Sequence, residues 1–159
     1  MAREAVIVHK VAFRPLFTIH FETTPQVVGD VPLGYFRRAG IITTGSFAGE
    51  RLSGRVLPGG GDWLTKGKDG VIHLDVRTIL ETGRGATVYM TYTGRLKMSA
   101  EAEARFARGE ALGPADLYFR TAVQFETADQ DLLWLNDIVA FGIGERRPSG
   151  PTYHVHELL

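Results

Sequence analysis

Val71-Ile72-His73-Leu74-Asp75-Val76-Arg77-Thr78-Ile79-Leu80-Glu81 decides the fold class. Ile72, Leu74, Val76 and Leu80 fall on one face and His73, Asp75 and Arg77 on the other, the period of two expected of a strand with one face buried. Gly83-Arg84-Gly85 turns the chain, and Ala86 to Thr93 returns with Val88, Met90 and Tyr92 set against Thr87, Tyr89 and Thr91. The pair reads as an antiparallel hairpin.

Upstream, Lys66-Gly67-Lys68-Asp69-Gly70 ends in an Asp-Gly turn signal. Before it, Arg51 to Leu57 reads as a strand. Pro58 and three glycines, Gly59 to Gly61, then make a sharp turn that delivers Asp62 and Trp63 to the rim of the sheet. Leu16 to Glu22 alternates, and Thr23-Thr24-Pro25 is expected to end that strand. Val31 to Gly34 is a connection, Ile41 to Thr44 a strand, and Gly45-Ser46 an expected interruption.

Downstream, Ser99 is the N-cap of a short helix running to Arg108, with Glu101 and Glu103 in its first turn and Gly109 at its exit. Tyr118 to Glu126 alternates again, with Phe119, Val123 and Phe125 opposed to Tyr118, Arg120, Gln124 and Glu126. A polar turn at Asp129, Gln130 and Asp131 leads to Trp134-Leu135-Asn136. Ile138 to Gly144 and Tyr153 to Glu157 are the last strands. Many short strands with one peripheral helix make the chain all-β, and a single antiparallel barrel of about eight to ten strands is preferred to a sandwich.

The 159 residues, 44% of them hydrophobic, suffice for one core, so residues 1–159 are expected to be one domain. Lysine plus arginine equals aspartate plus glutamate at 18 each, which disfavours nucleic acid and anionic membranes as partners. Cysteine is absent, excluding disulfides, thiolate catalysis and cysteine metal sites. The leader Met1-Ala2-Arg3-Glu4 running into Ala5 to Val8 lacks a long apolar region, and no apolar run has membrane-spanning length, so the expectation is a soluble cytoplasmic protein.

Gly54 to Trp63, Asp75 with Arg77, Tyr118-Phe119-Arg120-Thr121, Phe125-Glu126-Thr127, Trp134-Leu135-Asn136 and Phe141 to Arg147 carry a resemblance. On these stretches the chain resembles the DUF3237 family of bacterial proteins, a domain of unknown function. The resemblance runs nearly end to end, weakest in Met1 to Val11 and after Pro151. It implies a lipocalin/calycin-like β-barrel and supplies little chemistry, since fold alone does not assign an activity.

No histidine among His9, His20, His73, His154 and His156 sits in a nucleophile context. His154 and His156 share a strand face, but alternation on a terminal strand explains them without a metal. Gly59 to Gly61 precede no lysine-bearing helix and form no phosphate loop. Neither metal nor cofactor is therefore expected.

Asp62, Arg77, Tyr118 and Glu126 can supply a base, an electrophilic clamp and a proton donor, and are the candidate catalytic set. Trp63, Asp75, Phe119, Arg120, Val123, Phe125, Trp134 and Asn136 are the candidate substrate contacts. Each has a plainer reading. Asp75 with Arg77 and Arg120 with Glu126 make surface ion pairs, Asp62 caps the glycine turn, Trp63 plugs the core end, Tyr118 is a buried hydroxyl with a partner, and Trp134 and Asn136 are a core aromatic and a turn amide. Three functions survive: a cofactor-independent acid–base enzyme (isomerase, cyclase or lyase type) on a small cyclic or aromatic carbonyl compound, a lipocalin-like carrier of a small apolar or aromatic ligand, and a structural subunit. The enzyme is preferred because a carboxylate after flexible glycines exceeds what a carrier needs. A homo-oligomer stays open.

Overall fold

Alternating apolar and polar residues build nearly every strand of the structure, a computed structural model that describes residues 9–159. The leader Met1 to Val8 lies outside the described residues. The order is β1 (Phe13–Val31), β2 (Tyr35–Ala48), β3 (Ser53–Val56), β4 (Gly61–Lys66), β5 (Ile72–Thr82), β6 (Thr87–Met98), α1 (Ala100–Ala107), β7 (Leu117–Glu126), a 3-10 helix (Gln130–Asp137), β8 (Ala140–Arg147) and β9 (Gly150–Leu158). All pairings are antiparallel. They run β1-β9-β8-β7-β6-β5, then from β5 through β3 and β4 to β2, and β2 pairs back with β1. The sheet closes as a ring.

The β5–β6 hairpin forms as its pattern requires. Ile72, Leu74, Val76 and Leu80 are buried, and Val88, Met90 and Tyr92 face them from β6. Phe119, Val123 and Phe125 of β7 are buried by the same rule. One part of the interior is packed by Phe17 against Phe47 and Phe125. Farther along the ring, Phe21, Tyr92, Phe119 and Tyr153 meet, and a cavity remains there.

Four expectations change. First, Thr23-Thr24-Pro25 does not end β1, which continues to Val31 with Pro25 opposite Gly40. Beyond His20, β1 no longer pairs with β9, so Pro25 occupies an edge, where a missing donor is tolerated. Second, Gly45-Ser46 does not interrupt β2. A Cβ at Gly45 would come within 2.4 Å of the His20 carbonyl oxygen, so glycine is what lets β1 and β2 approach.

Third, the residues after the glycine turn form a strand of their own, β4. Gly59, at φ 104°, makes the turn, and β4 inserts between β2 and β5 with Asp62 opposite both Gly40 and Val76. Fourth, the described residues contain two short helices rather than one. The expected α1 forms, its Ser99 Oγ accepting the Ala102 N–H at 3.1 Å. The stretch read as a polar turn is the 3-10 helix, capped by Asp129, whose carboxylate accepts the Asp131 N–H at 3.1 Å.

Candidate functional site

The site begins with β4. Alternation turns Asp62 and Leu64 inward and Trp63 outward, and the cross-strand partner Gly40 puts no side chain beside the carboxylate. Asp62 Oδ1 accepts the backbone N–H of Asp75 at 3.0 Å. Burial pushes the Asp62 pKa up from 3.8 to about 6, against the opposing pull of that hydrogen bond and of the Arg38 charge; the Asp75 carboxylate adds to the rise. A half-buried carboxyl poised near neutrality can both take and return a proton.

Asp62 faces a cavity of ≈190 Å³ inside the ring. Tyr92 from β6 and Tyr153 from β9 face it too, their rings edge to face with centroids 5.1 Å apart. Burial is the first cause holding both phenol pKa values well above 10, and the negative charge of Asp62 adds to it. Both hydroxyls are protonated at neutral pH and can donate. Arg38 from β2 and Arg146 from β8 complete the polar wall. The Arg146 guanidinium lies 3.7 Å from the Phe106 ring centroid of α1, and burial together with the Arg38 charge lowers its pKa to about 10, so it is still cationic at neutral pH. Phe21, Phe119, Leu64 and Ile72 supply apolar walls.

Of the twelve residues singled out in the sequence, Asp62 and Phe119 line this cavity. Val123 and Phe125 are interior but not on its wall; Phe125 packs on Phe17 with centroids 5.9 Å apart. Trp63, Asp75, Arg77, Tyr118, Arg120 and Glu126 fall on the opposite, outer side of β4, β5 and β7. Closing the sheet buries one face and turns the charged one to solvent. Asp75 and Arg77 form an exposed ion pair at 3.3 Å. Arg120 makes no ion pair with Glu126: it lies over the Tyr118 ring at 5.2 Å and donates to the Phe119 carbonyl at 2.9 Å. Tyr118 is exposed rather than a buried hydroxyl.

Trp63 lies outside the core rather than plugging it, its ring 6.0 Å from the Arg77 guanidinium. Trp134 packs on the core from the 3-10 helix beneath the Arg51 guanidinium at 4.5 Å. The Asn136 amide accepts the Thr127 N–H at 2.9 Å and donates to the Thr127 and Leu133 carbonyls, each at 3.0 Å, which makes it a turn amide. His154 bonds Glu145 at 3.0 Å and Thr18 at 3.1 Å, and no group of three metal-ligating side chains occurs among the described residues.

Sequence reasoning missed Arg38, Arg146, Tyr92 and Tyr153 as site residues. Strand alternation held the signal for two of them: Tyr92 shares a face with Val88 and Met90, and Arg146 continues the inward row of Gly142 and Gly144.

The profile of the family described as "Protein of unknown function (DUF3237)" matches residues 11–158. A UPF0311 protein of Rhodopseudomonas palustris is 33% identical over 131 residues, covering 82% of this chain and 85% of that protein. A crystal structure of a conserved protein of unknown function from the same organism superposes with a TM-score of 0.89 at 29% identity, covering 96% of this chain and 100% of the other. A β-barrel-like protein from Acinetobacter baumannii superposes with a TM-score of 0.82 at 30% identity, over 98% and 100% of the two chains. More distantly, a hydroalkoxylation enzyme of Penicillium herquei is 24% identical over 127 residues, or 80% of this chain and 70% of that protein.

Proposed function

The chain belongs to the DUF3237 family of proteins of unknown function, and from the groups that line its cavity we propose a cofactor-independent acid–base enzyme of isomerase, cyclase or lyase type. Its substrate is a small cyclic or aromatic carbonyl compound held inside a single lipocalin-like barrel. Asp62 carries the proposal: a half-buried carboxyl with a pKa of about 6, facing a cavity that also holds two neutral phenols. Asp62 takes the proton, Tyr92 or Tyr153 donates to the oxygen on which charge develops, and the arginines stabilise that charge. The outward-facing Arg77, Tyr118 and Glu126 leave the catalytic set.

Hydroalkoxylation, the reaction named for the Penicillium relative, adds an O–H across a C=C bond. It removes a proton from oxygen and delivers one to carbon, which is within reach of this set of groups. The mostly apolar wall favours a second reading, a carrier of a small apolar or aromatic ligand without turnover. Cytoplasmic location and a homo-oligomer stand as expectations from the sequence.

The test is Asp62→Asn assayed against a panel of cyclic and aromatic carbonyl compounds. An enzyme loses roughly a hundredfold to ten-thousandfold in turnover while ligand affinity stays within a few fold. A carrier shows binding and no turnover in either form.

A further inference from the structure

The described arginines divide sharply by partner. Arg14, Arg51, Arg55, Arg77, Arg84, Arg105, Arg108 and Arg147 each meet a carboxylate. Arg37, Arg95 and Arg120 each donate to a backbone carbonyl. Among the described residues, only Arg38 and Arg146 have no oxygen partner. Arg146 donates to the Met98 sulfur at 3.6 Å, and Arg38 Nε is buried with no partner at all. These two are the arginines that share the cavity with Asp62.

A guanidinium partly withdrawn from water without an oxygen acceptor is costly, and a second cation nearby raises the cost; Arg38 and Arg146 are both half-buried. Every other described arginine has an oxygen acceptor; here the fold supplies only the Met98 sulfur, to Arg146. Asp62, the one carboxylate on the cavity wall, is held by the Asp75 N–H. Arg147 also reaches the wall but is neutralised by Glu145 at 3.1 Å. With Asp62 ionised, the unpaired wall charge is still two cations against one anion. Apart from Thr23 and the two phenol hydroxyls, the remaining wall is apolar.

We propose that Arg38 and Arg146 form an anion subsite, and that the cavity takes a small organic anion with an apolar ring and one negatively charged oxygen group, a carboxylate or a phenolate. The subsite rests on the cavity being the ligand site, as in the function proposed above, and adds the substrate's charge. The ring lies against Phe21, Phe119 and Leu64, and the anionic oxygens receive the guanidinium donors that the chain leaves unpaired.

The experiment is calorimetric titration of the unmodified protein at neutral pH with benzoate and with benzamide, its uncharged counterpart of nearly equal shape. A parallel arm follows the visible band of 4-nitrophenolate, with neutral 4-nitroanisole as its control. At least one anion should bind tenfold or more tightly than its neutral counterpart, a difference of about 1.4 kcal/mol. Which arm shows the preference tells carboxylate from phenolate.

Arg38→Gln and Arg146→Gln should each reduce that preference severalfold and leave benzamide affinity within about twofold. Equal affinity for anion and neutral counterpart in both arms, tighter binding of the neutral compounds, no binding of either anion at roughly 10 mM, or a preference that survives both substitutions would overturn the subsite. The wild-type comparison stands even if a variant fails to fold. Because the readout is equilibrium binding, a retained preference with unchanged turnover in Asp62→Asn sinks acid–base catalysis and spares the subsite. Lost turnover without a preference does the reverse.

Discussion

The Asp62 carboxylate and the backbone N–H of Asp75 are joined at 3.0 Å across the β4–β5 pairing, while the Asp75 side chain points to the other face and meets Arg77 at 3.3 Å. One carboxylate is thereby fixed inside the ring and its neighbour outside it. The pair separates cavity chemistry from surface electrostatics within a single ladder.

Asp62 should make the protein less stable as pH rises. Its folded pKa of about 6 exceeds the ordinary 3.8, so between these values the folded chain holds a proton that the unfolded chain has released. The stabilisation is full below about 3.8 and is lost as pH rises through about 6, amounting to about 3 kcal/mol. Asp62→Asn keeps the acceptor for the Asp75 N–H and removes the titration. Melting temperatures of the two proteins, measured side by side, should show the variant ahead above about pH 6 and the gap closing toward about pH 4. A variant that melts below wild type throughout would mean that the charge itself is stabilising.

The two cavity phenols should matter for turnover more than for folding. Tyr153→Phe and Tyr92→Phe keep the edge-to-face ring packing and delete a donor. At least one should lower kcat by about a hundredfold, with circular dichroism unchanged. Unchanged kcat in both would leave only the arginines to stabilise developing charge.

On the outer face, Arg77→Ala, Tyr118→Phe and Glu126→Gln should each leave turnover and ligand affinity within about twofold, as expected for exposed side chains outside the site. A tenfold loss in any of them would move the site out of the ring.

Glu157 is buried near the end of β9 and accepts from Arg14 at 2.8 Å and Arg51 at 2.6 Å, and these bonds hold its carboxyl below the usual range. Glu157→Gln removes the charge both arginines pair with and should cost about 1–3 kcal/mol, less than a fully buried pair because the arginines reach solvent. Urea denaturation with an unaltered m-value reads this directly.

Much of the fold was legible because burial on one face writes a period of two into a strand. Ile72, Leu74, Val76 and Leu80, or Phe119, Val123 and Phe125, announce their face without a structure. β4 stayed hidden because Asp62 occupies an inward position where alternation predicts an apolar residue. The same physics misdirected the site. Charges on the regular outer faces of β5 and β7 are conspicuous in sequence, yet they follow the rule that polar residues face water. The cavity residues Arg38, Asp62 and Arg146 break that rule. In a closed sheet, an interior site is written in the exceptions to alternation, and a single sequence shows an exception only once the face of its strand is known.

The central claim, that Asp62 is the cavity's proton-transfer group, is tested most directly by the ionisation of that one carboxyl. Carbon-detected NMR of the aspartate side chains across pH, assigned through Asp62→Asn, should find Asp62 titrating at about 6, with its midpoint matching the acidic limb of kcat/KM for any substrate turned over. A midpoint at or below 3.8, the ordinary aspartate value, would contradict it.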